Sequence, residues 1–89
     1  VHFRFDDQHP LAASHHAKVV VVDDSLAFSG GIDLTTHRWD TAAHRPDEPA
    51  RKNALDTPYG PYHDVQCMVE GDAAMALGEL ARERWRRLG

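Results

Sequence analysis

Two side chains near the start of this sequence, His16 and Lys18, are of the types that attack and neutralise an anionic ester. In an extended chain, residues two apart share a face. An imidazole there can attack phosphorus or shuttle a proton, and an ammonium beside it can neutralise non-bridging oxygens. Asp23 follows after four valines, and Gly30, Gly31 and Asp33 lie further on. Glycines let backbone N–H groups approach a phosphate closely. His15 adjoins His16; on a strand it points to the opposite face and is a poor partner for the same chemistry.

These residues need a scaffold, and the surrounding sequence predicts one. Val19 to Val22 form a β-branched run, apolar on both faces, which reads as a strand covered on both sides. Asp23-Asp24-Ser25 is a turn, Leu26-Ala27-Phe28 a returning strand, and Gly30-Gly31 its stop. Pairing 18–22 with 26–30 brings the glycines back beside His16. Val1, Phe3 and Phe5 alternate with His2, Arg4 and Asp6, predicting another strand that ends before Pro10. Val65 to Val69 reads as a last short strand. Gly71-Asp72 opens a helix with Asp72 as N-cap, and Ala73, Leu77, Leu80, Ala81, Trp85 and Leu88 give it one apolar face. Arg82, Arg84, Arg86 and Arg87 crowd its C-terminal end, where the helix dipole favours cations, and read as a solvated helix end. Met75 and Trp85 read as core. Residues 36–63 hold all but one of the prolines and show no period, so 44–61 is expected to be a mobile loop. The expected class is α/β, a mixed β-sheet with a covering helix.

Composition bounds the alternatives. Eighty-nine residues make one small domain at most, and 42% apolar with 27% charged residues is globular. No apolar run approaches the roughly 20 residues of a membrane span. A net charge of −4 disfavours broad nucleic-acid binding. Cys67 is the single cysteine, which excludes an internal disulfide and a Cys-based zinc site. Seven histidines invite a metal reading, but none has HExxH or paired Cys/His spacing, so no metal or other cofactor is expected. The chain opens on Val1 and is expected to be a piece of a longer protein. Its compartment stays open.

The pattern His16-x-Lys18, four residues, Asp23, then Gly30-Gly31-Ile32-Asp33-Leu34 resembles the HxKxxxxD motif of the phospholipase D superfamily. Arg38-Trp39-Asp40-Thr41 and His44 extend the likeness to the first catalytic half of its phosphatidyl-hydrolysing branch. Tyr62-His63-Asp64-Val65, Gly71-x-Ala73-Ala74 and a helix ending Arg84-Trp85 are similar to the segment that follows. The resemblance covers nearly the whole chain. Asp33 stands where many superfamily members carry Asn, and Asp is frequent in the phosphatidyl branch. A carboxylate beside a phosphate repels it unless protonated or turned away. Asp24 replaces a frequent Gly, Ala17 a commoner Gln or Glu, and Tyr62 a frequent Trp.

The resemblance implies half of a two-motif fold and a phosphodiester transfer through a phosphohistidine, to water or to an alcohol. His16 would be the nucleophile, Lys18 a phosphate ligand, and Asp23 a support that orients an imidazole, including that of a partner histidine. Gly30, Gly31 and Asp33 would form the phosphate pocket, with His15, His63 and Asp64 in supporting places. The substrate would be a phospholipid or another phosphodiester, and a peripheral membrane contact is compatible with it. The mechanism needs a second HxKxxxxD half, from the parent chain or a second subunit, because this chain carries one motif. The competing readings are a superfamily nuclease or other phosphodiesterase completed by homodimerisation, and an inactive fragment or histidine-rich interaction or metal-binding module.

Overall fold

The structure is a computed structural model that describes residues 1–88. The chain forms two compact units, one built from residues 1–30 together with the segment from Gln66 onward, the other from residues 31–65.

The first unit carries the regular elements: β1 (Lys18–Val22), β2 (Leu26–Gly30), β3 (Gln66–Glu70) and α1 (Asp72–Arg87). β2 is the central strand, pairing β1 on one side and β3 on the other. The valine run makes β1 because β-branched side chains suit a pleated surface. The turn works because Asp23 and Asp24 both take φ of 53°, a left-handed conformation that Asp tolerates, and Ser25 N–H donates to Val22 O at 3.1 Å. The sheet expected to be mixed is antiparallel throughout the described residues, since the hairpin and the return of β3 both reverse the chain beside β2. The α/β class stands.

Val21, Ala27 and Val69 form one cross-strand row. Ala27 is fully buried, as is Ala74 on α1, which contacts all three strands. The next row, Val20, Phe28 and Met68, lies on the opposite face. There Val20, Val22 and Met68 are exposed, so the valine run is covered on one face, not two. The reason is that, among the described residues, one helix accompanies this sheet.

Three further expectations are corrected. Val1 to Phe5 form no strand, and Val1, Phe3 and Phe5 are exposed. No strand of the sheet offers them a ladder. Side chains hold the segment instead: Arg4 donates to Trp85 O at 2.9 Å and lies 4.5 Å from the Trp85 ring centroid, while Asp6 accepts from Arg84 at 2.6 Å. The N-cap is Gly71, whose φ of 66° suits glycine, and Asp72 becomes the first helical residue, where its charge complements the dipole. The helix buries Ala74 and Gly78, whereas Met75, Leu80 and Trp85 remain largely exposed. Gly78 is small because the Asp24 carboxylate lies against it, and Arg82 donates to both Asp24 oxygens at 2.9 Å. The other helix-end arginines are paired as well, Arg86 with Glu79 and Arg87 with Glu83. No described helix is long and apolar enough to cross a membrane.

The second unit has no helix or regular strand among its described residues, only a bridge between Lys52 and Pro58. Irregular backbone leaves carbonyls that still need donors. Arg51 supplies them. It is 1% exposed, and its guanidinium donates to Tyr59 O at 2.8 Å, Arg45 O at 2.7 Å, Pro46 O at 3.0 Å and the Asp40 carboxylate at 2.8 Å. A planar group with five donors can hold several turns at once.

Candidate active site

His16 lies just before β1 and is exposed. Lys18 opens the strand, half-buried, and its Nζ donates to His16 O at 2.7 Å. The β1–β2 register places Lys18 directly opposite Gly30, so the hairpin does return the first glycine to the head of the motif. Asp23 sits at the other end of β1. At about 3.3 Å per residue, roughly 16 Å separates it from Lys18. Within this unit Asp23 therefore cannot orient His16.

His15 is turned to Asp6, with Nε2 3.0 Å from Oδ1, and its ring meets that of His9 edge-on. Neither His15 nor His16 belongs to the strand. The place of His15 is thus set by this contact with Asp6 and not by strand alternation. Burial pushes the Asp6 carboxyl up, but the bonds from Arg84 and the Gln8 N–H and the neighbouring His15 outweigh it and leave it lowered.

The remaining candidates belong to the second unit. The Gly31 N–H donates to Val65 O at 3.0 Å, so this amide is already engaged and is not a free phosphate donor. The absence of a Cβ at Gly31 serves another purpose, since any Cβ would collide with the Asp64 carboxylate. Asp64 accepts from the Val65 N–H at 2.7 Å and from the Tyr62 hydroxyl at 3.3 Å. Asp33 is paired with Arg38 at 3.2 Å, which offsets the repulsion it would offer an anion. His63 packs edge-on against His44, ring centroids 5.3 Å apart.

Sequence reasoning passed over the centre of this unit. Asp40 is 3% exposed and accepts from Arg51, from the Thr41 N–H at 2.7 Å, from the Tyr62 N–H at 2.8 Å and from His44 Nδ1 at 3.1 Å, with that nitrogen protonated. Burial pushes its carboxyl up, yet the bonds from Tyr62, Arg51, His44 and Thr41 dominate and hold it far below the usual carboxylate range. The Tyr62 phenol is raised by burial and by the Asp64 charge. The Arg38-Trp39-Asp40 stretch gave a signal for Asp40; nothing in the pattern marked Arg51. Among the described residues no three His, Cys, Asp or Glu side chains converge as a metal site requires.

Comparison with known proteins adds the ancestry. A family model described as phospholipase D matches residues 4–89. The chain is 31% identical to phospholipase D alpha 1 of Vigna unguiculata, the match covering 85% of this chain and 13% of that protein. It is 33% identical to phospholipase D zeta 2 of Arabidopsis thaliana, over 81% of this chain and 9% of the relative. A shorter stretch, 48% of the chain, is 54% identical to phospholipase D1 of Schizosaccharomyces pombe and covers 3% of that protein. The chain thus spans a small part of the length of the relatives it matches. No solved structure matches it significantly. With the motif at the head of β1 and a family match across nearly all its residues, the chain belongs to the phospholipase D family.

Proposed function

We propose that this chain supplies one of two catalytic motifs to a phospholipid-hydrolysing phosphodiesterase. The observation that carries the reading is the cluster at the head of β1, where the Lys18 ammonium lies on the His16 carbonyl and Gly30 stands opposite. His16 attacks phosphorus, a P–N bond forms, and the P–O bond to the head-group alcohol breaks. The departing oxygen takes a proton from a second histidine. Water, or an acceptor alcohol, then attacks the phosphohistidine and returns its proton to that second histidine. The P–N bond breaks and His16 is restored. Lys18 neutralises the charge that builds on the non-bridging oxygens.

The second histidine comes from another HxKxxxxD segment, in the parent chain or a second subunit. Nucleophile and acid act as a unit, so the isolated 89 residues should be inactive. The test is hydrolysis of a chromogenic phosphodiester over a dilution series, with His16→Ala alongside. No turnover at any concentration is expected, and it should appear once the chain is lengthened to include a second His-x-Lys. Turnover that fades on dilution and in His16→Ala would mean two copies assemble the site. Turnover indifferent to His16→Ala would refute the proposal.

A further inference from the structure

His16 has no ladder to hold it. It stands before Lys18, the first residue of β1, in backbone that belongs to no strand or helix, and it is exposed. A reacting group needs its place fixed closely, because a misplacement of about 1 Å can cost about 10²-fold in rate. Something other than the sheet must fix this backbone.

Two side-chain contacts bracket it. On one side the Lys18 Nζ donates to the His16 carbonyl at 2.7 Å, which holds His16 to the strand that follows. On the other, His15 Nε2 lies 3.0 Å from Asp6 Oδ1, a contact that requires the proton on that nitrogen. Asp6 is itself held. Its side chain is 12% exposed, its Oδ2 accepts from Arg84 Nε of α1 at 2.6 Å, and its Oδ1 also accepts the Gln8 N–H at 3.2 Å. One carboxylate thus joins the helix to the residue next to His16. Ala17, on the far side of His16, lines the recess between this segment and α1 together with Asp6, Leu77, Leu80 and Arg84. The backbone is seated before and after His16, and His16 is left to project.

We propose that Asp6 is a positioning residue: it holds His15, and through it sets the backbone at His16. The consequence for catalysis rests on the function proposed above, whereas the effect on His16 itself does not.

The test has two readouts. In the 89-residue chain, the heteronuclear NOE of the His16 amide reports how firmly it is held. Asp6→Ala and His15→Ala should each lower it toward the value of a mobile loop while Val19 to Val22 keep theirs. The double variant should be no worse than either alone, because both remove one contact. His15→Gln, whose side-chain amide can donate in place of Nε2, should restore it. Should Asp6→Ala fail to fold, the partly exposed His15 decides the matter.

The second readout is turnover in a chain lengthened to carry a second His-x-Lys. Each alanine variant should lower kcat about tenfold and leave KM within about twofold, as expected when a group acting in the transition state is misplaced. A His16 amide unmoved in both alanine variants would overturn the proposal. So would loosening of β1 together with His16, which would make the pair a contact of the fold at large. Turnover that needs His16 but ignores both alanine variants would also overturn it and leave the catalytic reading in place. A loosened His16 amide in a protein that never turns over would leave the positioning standing and remove the catalytic reading.

Discussion

The two units keep their shape by opposite means. The sheet and helix have regular backbone pairing but a slight core, with Ala27 and Ala74 as their buried apolar residues. The segment 31–65 has almost no regular pairing, yet it buries a guanidinium against a carboxylate and wraps turns around them. In the first unit the backbone satisfies itself and side chains only finish the surface. In the second, side chains do what a ladder would otherwise do. A ladder tolerates change at most positions, whereas a hub concentrates risk at one, because removing one partner of a buried pair leaves the other unsatisfied.

The largest expected effect tests the first unit for chemistry alone. On the function proposed above, in a chain lengthened to carry a second His-x-Lys, Lys18→Ala should lower turnover by roughly 10²–10³, the scale of losing one preorganised contact to developing charge. The thermal midpoint should stay close to that of the unsubstituted chain, since β1 keeps its pairing with β2. Near-normal turnover would remove Lys18 from the site. Unfolding would mean that the two units differ less than their architecture indicates.

Arg51→Ala should do the reverse. Four acceptors lose their donor at once, so residues 44–61 should become the first site of limited proteolysis, while the amides of β1–β3 keep their exchange protection. Protection lost in both units together would show that one cooperative fold contains them.

Acid should separate the units more gently. The Asp40 carboxyl is held below its ordinary value by donors that want it charged. Its contribution to stability is therefore whole above the unfolded value near pH 4, and it declines as pH falls from there toward the lower folded value. The Tyr62 and Thr41 amide protons, which bond that carboxylate, report it directly. They should hold their shifts from pH 7 to pH 5 and move only in stronger acid. Movement already between pH 7 and pH 5 would contradict the assignment of Asp40 as the anchor.

The hairpin, β3 and the helix were legible because each rests on a period. β-branched runs, an Asp-rich turn and apolar residues at helical spacing are local signals, and local pairing realised them. The register that returns Gly30 to Lys18 followed from the turn alone. The alternation at Val1, Phe3 and Phe5 misled because a strand also requires a neighbour, which sequence periodicity does not supply. Asp72 as N-cap was one residue off, since a glycine at positive φ can take that place without any side-chain bond. The centre of the second unit was largely illegible for a different reason. Asp40 and Arg51 stand eleven residues apart with no period between them, and charged types are usually on surfaces. The same absence of pattern that suggested a mobile loop at 44–61 is compatible with a segment organised around one side chain.

β1 is an edge strand, bonded to β2 on one side only among the described residues. Its outer amides and carbonyls run beside four valines, with no proline or charge between positions 19 and 22. Such an edge is a template for intermolecular pairing, and proteins usually blunt it with a charge, a bulge or a cover. Concentrated solutions of the isolated chain are thus expected to grow sheets from the strand that carries the motif, which ties colloidal behaviour to the same few residues as the proposed chemistry.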